Sequence, residues 1–334
     1  MVDPVADVLL ETVELVKSFP VRSGLFGQRN LRLVAVDAVN LTIKKGETVG
    51  LVGESGCGKS TLALTILKLY EPTSGAIIFE GQDLAGFSES QMRDQRREMQ
   101  IIFQDPLASL DPRMIIDEII REPLDIQAQG SVKDRMEIVG RLLDITGLPA
   151  DSGQRFPAEF SGGQQQRIGI ARALALRPKL LVCDEPVSSL DVSVQAQILN
   201  LLRDLQQQFE LTYLFISHNI AVTALMSQRI GVMYLGRLVE IGPSYNIVNI
   251  PLHPYTTALI SAVPDPETGQ RVRRGSLVGE VPSPIHRPTG CPFHPRCPIV
   301  QDKCRSELPI LREFAQGHFA ACHFAELASV KLTA

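Results

Sequence analysis

Gly53-Glu54-Ser55-Gly56-Cys57-Gly58-Lys59-Ser60-Thr61 decides how the rest of this 334-residue chain is read. It follows Glu47 to Val52, a short apolar run that predicts a buried strand, and a helix is expected to begin near Lys59. The pattern G-x-x-x-x-G-K-[ST] between strand and helix is a phosphate-binding loop. Glycines let backbone N–H groups close around phosphate oxygens, and the helix N-terminus adds positive partial charge. Lys59 is then placed for the β- and γ-phosphates, and the Ser60 hydroxyl for a Mg²⁺ shell. ATP and Mg²⁺ are the expected ligands of Gly53 to Thr61.

Outward from the loop, strand-like and helix-like patterns alternate, which predicts an α/β core. Lys179 to Glu185 is an apolar strand ending in two acids, Asp184 and Glu185. A carboxylate at the C-terminal end of a strand beside a phosphate loop suits Mg²⁺, the role expected of Asp184. Glu185 projects differently and is a candidate to polarise the attacking water. Gln100 to Phe103 and Thr212 to Ser217 read as further buried strands, and roughly Asp105 to Phe160 as an inserted helical lobe. Ser193 to Phe209 is a helix whose Val194, Ile198, Leu201, Leu202, Leu205 and Phe209 share a core face. Ile230 to Tyr234 and Leu238 to Ile241 flank Gly236-Arg237 as a hairpin.

Ser161-Gly162-Gly163-Gln164 precedes a helix expected to run to about Leu176. It reads either as a serine N-cap with a glycine turn or as a second anion site, which a nucleotidase with one phosphate loop does not need. Beyond His253-Pro254 the composition shifts. Prolines are dense from Val263 to Pro298, predicting a linker followed by a small cysteine-bearing domain.

Composition is that of an ordinary globular protein, 44% hydrophobic and 21% charged. A net charge of −4 and dispersed basic residues argue against a nucleic-acid partner. The run from Arg93 to Arg97 is broken by Asp94 and Gln95 and reads as a solvated helix face. No apolar stretch is long enough for a membrane span, and Met1 to Leu10 lacks the pattern of a secretory signal. The expectation is a soluble, cytosolic chain.

Cys57 and Cys183 are scattered and receive no role, whereas Cys291, Cys297, Cys304 and Cys322 crowd the C-terminal end. In a reducing compartment such a cluster reads as metal ligation before disulfides. Structural zinc, with His318 or His323 as substitute ligands, a cubane iron–sulfur cluster and four free thiols in a small core all remain open.

From about residue 8 to 330 the chain resembles the ATP-binding subunits of ABC transporters. The phosphate loop, Gln104 in Ile-Ile-Phe-Gln-Asp, Ser161-Gly-Gly-Gln, Asp184-Glu185, Ser189-Leu190-Asp191 and Ser217-His218 agree in order and spacing. The resemblance implies a RecA-like P-loop ABC ATPase core with an inserted α-helical subdomain. It also implies a head-to-tail dimer sandwiching two ATPs, each between one subunit's phosphate loop and the other's Ser161–Gly163 turn. Glu185 would be the general base, His218 the γ-phosphate contact and Gln104 a Mg²⁺ ligand. Phe19 is the candidate for stacking on adenine. Departures are Phe160 where leucine is usual and Asn219 where aspartate is common; neither removes a phosphate contact.

Phe103 to Arg113, Asp191 to Leu199 and His253-Pro-Tyr-Thr-Thr-Ala-Leu259 look more like the F-type than the D-type ATPase of oligopeptide/dipeptide importers. This implies a nucleotide-binding domain over 1–260 and a C-terminal domain over 261–334, whose cysteines in some members carry a [4Fe–4S] cluster, so the resemblance favours the cluster over zinc. The implied partners are a D-type ATPase or second copy, two transmembrane permease subunits and, indirectly, an extracytoplasmic peptide-binding protein. The implied location is the cytoplasmic face of a bacterial or archaeal cell membrane. The same subfamily includes nickel importers. The rival from another class is a soluble ABC-type ATPase acting on nucleic acid or ribosomes, which the acidic composition and the single ATPase unit disfavour.

Overall fold

The computed structural model describes residues 7–21, 31–262 and 279–326. In chain order its strands are β1 (Val8–Val21), β2 (Leu31–Lys44), β3 (Thr48–Val52), β4 (Ser74–Phe79), β5 (Gln82–Asp83) and β6 (Met99–Ile102). They continue with β7 (Leu180–Asp184), β8 (Thr212–Ile216), β9 (Arg229–Tyr234), β10 (Arg237–Pro243), β11 (Arg312–Ala315) and β12 (His318–Ala320). The helices begin with α1 (Lys59–Ile66), α2 (Glu89–Glu98), α3 (Pro106–Ser109), α4 (Ile116–Ile126), α5 (Val132–Ile145) and α6 (Gly162–Leu174). They end with α7 (Val192–Phe209), α8 (Ile220–Met226), α9 (Ser244–Asn249), α10 (Pro254–Ser261) and α11 (Asp302–Ser306). Among the described residues no helix is long and apolar enough to cross a membrane.

The chain divides into two compact units. The loop unit comprises the described residues of 4–43, 48–86 and 216–334; the helical unit comprises 44–47 and 87–215. The expected linker from Val263 onward lies outside the described residues as far as 278.

The loop unit holds an antiparallel sheet in the order β2-β1-β4-β5, with Leu10 opposite Phe79 and Thr12 opposite Ile77. Its second set of strands runs β11-β12-β10-β9-β3. There β3 and β9 are parallel, while β9, β10 and β12 pair antiparallel. Parallel β3 is buried at every position, as its unbroken apolar run requires. The β9–β10 hairpin turns at Leu235-Gly236, one residue before the expected Gly236-Arg237, because Arg237 is already paired with Tyr234. Both turn residues have positive φ, 46° and 80°, the twist that a two-residue hairpin needs. Below this hairpin, Tyr255 and Phe293 pack on Tyr234 with ring centroids 4.7 Å and 5.3 Å away. Cys291 and Cys304 belong to the same buried cluster, so the cysteine-bearing segment shares its core with the hairpin.

In the helical unit the strand order is β8-β7-β6, and β6 and β7 are parallel with Met99 opposite Leu180. Helix α4 packs against α5 and α6. Ile119, Ile120, Leu124, Val139, Leu142 and Ile168 are buried there. Ser131 caps α5 by accepting from the Asp134 amide. Helix α7 buries Ile198, Leu202 and Leu205 as its periodicity predicts; Val194, Leu201 and Phe209 are only half-buried.

Candidate functional site

β3 delivers the phosphate loop and α1 takes the chain away from it. Gly58, at φ 108°, occupies the left-handed region just before the first helical residue. A Cβ there would overlap the Ala35 carbonyl oxygen, so only glycine fits. The Gly236 amide donates to the Cys57 carbonyl at 2.8 Å, so the hairpin turn braces the loop's far side. Lys59 is buried, and its Nζ donates to the carbonyls of Gly53 at 2.8 Å and Glu54 at 3.1 Å. A buried ammonium held by neutral carbonyls and, at 3.7 Å, by the Cys57 sulfur is poised for an anion. Ser55 and Gly56 are exposed at the loop's tip, while Ser60 and Thr61 in the first turn are half-buried. Burial pushes the Cys57 thiol up, so it remains a neutral filler against Lys59.

Two residues beyond the phosphate-loop motif hold the loop. The Tyr255 hydroxyl accepts from the Glu54 amide at 2.8 Å. The Arg296 guanidinium donates to both Glu54 carboxylate oxygens, at 2.7 Å and 3.0 Å. Tyr255 sits in α10, whose N-cap His253 accepts from the Tyr255 amide through Nδ1 at 3.1 Å. Nδ1 therefore carries no proton, and burial lowers the His253 pKa to about 3. The sequence marks Tyr255 only as part of His253-Pro-Tyr-Thr-Thr-Ala-Leu259 and gives Arg296 no role.

Elsewhere in the loop unit, the Ser217 amide donates to the Leu51 carbonyl at 3.1 Å, placing His218 beside the strand that feeds the loop. His218 is exposed. Asn219 caps α8, its Oδ1 accepting from the Ala221 amide at 3.0 Å and the Val222 amide at 3.3 Å. Asparagine caps as well as aspartate, which accounts for that departure. Phe19 meets Tyr70 edge to face at 5.4 Å, with Lys17 Nζ 4.9 Å from the Phe19 ring. Tyr70, exposed beside it, is a second aromatic that the sequence did not single out.

In the helical unit β7 ends in buried Asp184, and Glu185 follows with φ 48°. A left-handed glutamate is a strained backbone, of the kind held where a side chain must be aimed. Gln104 Nε2 donates to Glu185 Oε2 at 3.0 Å, so the structure brings together two residues 81 apart in sequence. Ser161 caps α6: its amide donates to Gln164 Oε1 at 3.0 Å and its Oγ accepts from the Gln164 amide at 3.4 Å. The serine N-cap expected of this stretch is present. A Cβ on Gly163 would lie 2.5 Å from Val194 Cγ1, so this glycine also lets α7 approach. Asp191 stands exposed immediately before α7. Phe160 is buried under the Arg155 guanidinium, 4.5 Å from its ring, a contact that leucine would not make.

The four C-terminal cysteines gather in the loop unit. Burial first, then repulsion from Cys297, Cys291 and Cys304, pushes the Cys322 thiol up to about 12. Among the described residues no three His, Cys, Asp or Glu side chains form a group that could hold a metal ion. Neither an iron–sulfur cluster nor the zinc alternative draws support from that finding. The substitute zinc ligands are also engaged: His318 Nε2 lies 2.8 Å from buried Glu240, and His323 Nε2 lies 3.0 Å from the Glu307 carbonyl.

The family model described as "ABC transporter" matches residues 36–188. The model "Oligopeptide/dipeptide transporter, C-terminal region" matches 239–304. The chain is 49% identical over 320 residues to the oligopeptide transport ATP-binding protein AppF of Bacillus subtilis, covering 95% of this chain and 97% of that one. It is 53% identical over 294 residues to a putative peptide import ATP-binding protein of Brucella ovis, covering 88% and 93%. Among solved structures, the ATP-binding cassette MJ0796, a dimer in a post-hydrolysis state bound to ADP and Pi, matches with TM-score 0.63 and 28% identity. That match covers 71% of this chain and 99% of the other. With the phosphate loop, the Gln104–Glu185 pair and the capped Ser161 turn in place, the chain belongs to the ATP-binding subunits of ABC transporters, in the oligopeptide/dipeptide group.

Proposed function

We propose that this chain hydrolyses ATP to drive uptake of dipeptides or oligopeptides through a membrane importer. The observation that carries this reading is that the segment matched by the peptide-transporter model supplies Tyr255 and Arg296 to the phosphate loop. That segment is thus part of the ATPase and not an appendage to it. Relatives along nearly the whole chain, named for peptide transport, support the same substrate class.

In this reading ATP lies on Gly53 to Thr61, with Lys59 on the β- and γ-phosphates and Phe19 against adenine. Ser60, Asp184 and Gln104 would hold Mg²⁺. Gln104 spends its amide N–H on Glu185 and keeps its carbonyl oxygen for the metal. Glu185 takes the proton of the attacking water and His218 contacts the γ-phosphate. Ser161 to Gln164 and Asp191 complete the ATP site of a second ATPase, a D-type chain or another copy. Two permease subunits and an extracytoplasmic peptide-binding protein complete the importer, with this chain on the cytoplasmic face. The nucleotide-binding part is residues 1–260 and the C-terminal part 261–334.

A [4Fe–4S] cluster on Cys291, Cys297, Cys304 and Cys322 belongs to the same proposal. A cubane is larger than a single ion and takes its thiolates further apart, and the mutual repulsion of these thiols supports their proximity. Bound, it would cross-link a segment with little core of its own. Iron and sulfide analysis of anaerobically purified protein tests this, and the absence of both sinks it. The transport reading is tested by isolating the chain from its native membranes. Two integral membrane subunits and a related ATPase are expected to accompany it; ribosomal protein or nucleic acid in their place would overturn it.

A further inference from the structure

Glu54 poses a problem that the phosphate loop alone does not solve. It places a carboxylate on the segment that cradles a polyanion, where an uncompensated negative charge opposes binding. Glu54 is only partly exposed, its side chain at 26%, so water does not screen it fully. Arg296 answers that charge. Its side chain is 4% exposed and meets both carboxylate oxygens in a fork, the geometry in which guanidinium and carboxylate bind most strongly. The Tyr234 ring lies 5.9 Å from the same guanidinium and walls it in.

The position of Arg296 is set by the cysteine-bearing segment. Arg296 ends a short 3₁₀ turn, His294–Arg296, between Cys291 and Cys297. The His294 amide donates to the Cys291 carbonyl at 3.0 Å and the Arg296 amide to the Phe293 carbonyl at 3.0 Å. Phe293 anchors this turn in the core with Tyr234 and Tyr255. A second arginine of the same segment, Arg287, reaches the Leu235 carbonyl at 2.6 Å, in the turn that braces Cys57.

We propose that Arg296 is a positioning residue for ATP binding: from the cysteine-bearing segment it neutralises Glu54 and fixes the first turn of the phosphate loop. The role rests on Gly53 to Thr61 being the triphosphate site. It makes that segment an electrostatic component of nucleotide affinity, so whatever binds or reacts at Cys291 or Cys297 acts one turn away from the loop.

The test is calorimetric titration of MgATP into the purified full chain, with thermal unfolding of each variant in parallel. Lys59→Ala examines the underlying site. If it leaves MgATP binding intact, the loop is not the triphosphate site and both readings fall. With that control lost as expected, Arg296→Ala should weaken MgATP binding about tenfold, the scale of one nearby uncompensated charge. Arg296→Lys should recover part of the loss. Glu54→Gln in the Arg296→Ala background should return binding to within about threefold of wild type, because the offending charge is gone. A purely structural role for Arg296 would give no such rescue, since Glu54→Gln restores no packing. Binding unchanged in Arg296→Ala, or weakened equally in the double variant, overturns the proposal. Should Arg296→Ala fail to fold, Glu54→Gln alone decides: it should bind MgATP at least as tightly as wild type, and a tenfold weakening refutes the electrostatic role.

Discussion

Tyr255→Phe removes one hydroxyl from the phosphate loop's support and almost nothing else. Tyr255 is fully buried, and its ring contacts with Tyr234 at 4.7 Å and Phe293 at 5.5 Å survive in phenylalanine. What disappears is the 2.8 Å bond from the Glu54 amide. A net hydrogen bond contributes about 1 kcal/mol, and leaving a buried donor unpaired costs about 1–3 kcal/mol. The Glu54 amide is part-buried, so water recovers some of that, and the buried hydroxyl's own desolvation cost is relieved. The expected loss is about 1–2 kcal/mol, concentrated in local opening of the loop. Hydrogen exchange of a peptide spanning residues 53–59 should accelerate by about 5–30-fold, the ratio corresponding to that energy. Exchange in β6 and β7 of the helical unit should not change. Unaltered exchange at the loop would refute the claim that this hydroxyl holds it. A loss well above 3 kcal/mol would mean that the substitution disturbs more than this one hydrogen bond.

The remaining tests address other links. Glu185→Gln should cut ATP turnover about 10²–10⁴-fold, the range for a lost general base, while MgATP still binds; near-normal phosphate release would remove Glu185 from that role. Gly163→Ala should destabilise by about 1–3 kcal/mol, because its Cβ meets Val194 Cγ1 at 2.5 Å. Adding Val194→Ala should recover most of that in chemical denaturation, and no recovery would mean that α7 is not what the glycine accommodates. His253 has a folded pKa of about 3 against an unfolded value of about 6.5, so only the unfolded chain takes up its proton between those limits. Its contribution is complete above about pH 6.5 and is lost toward pH 3, at about 1.4 kcal/mol per pH unit. His253→Asn keeps a capping oxygen but cannot titrate, so its unfolding energy should fall less steeply between pH 6.5 and 4.5; parallel slopes would disprove the assignment.

Some of this architecture is legible because it is local. The strand before the loop, the acids ending β7 and the core stripe of α7 each announce themselves within a window of some twenty residues. β1 and β2 do not, although each has 14 residues. Glu14 and Ala38 within them take positive φ, at 45° and 50°, and the irregularity breaks the period-two pattern by which a strand is recognised. The hairpin turn is displaced by one residue for a related reason. Leucine at positive φ is not a turn signature, and only the pairing of Arg237 with Tyr234 puts Leu235 there. The loop's supports are illegible for a different reason. Tyr255 and Arg296 lie 201 and 242 residues from Glu54, and no periodicity links a tyrosine or an arginine to so distant a partner.

The same distance explains why a short, proline-rich segment can stay attached to the loop unit at all. Such a segment buries too little of its own surface to fold alone, so it must take its order from groups already fixed in the unit. Glu240 in β10 is one: it is completely buried and its carboxylate is met by the Leu252 and His253 amides and by His318 Nε2, at 2.8–2.9 Å. Without β12 this acid would lose one of its three partners inside the protein, and a buried charge left short of partners is far costlier than a surface one. The register of β12 on β10, Glu240 opposite Ala320, is thus enforced by chemistry as well as by the sheet. Asp37 repeats the logic at the other side, accepting from Arg237 at 2.7 Å and from Arg287. Polar groups that demand specific partners, more than apolar area, fix where this segment lies. Because two of the partners it meets there are the loop's Glu54 and the Leu235 turn, fixing the segment and shaping the ATP site are one event.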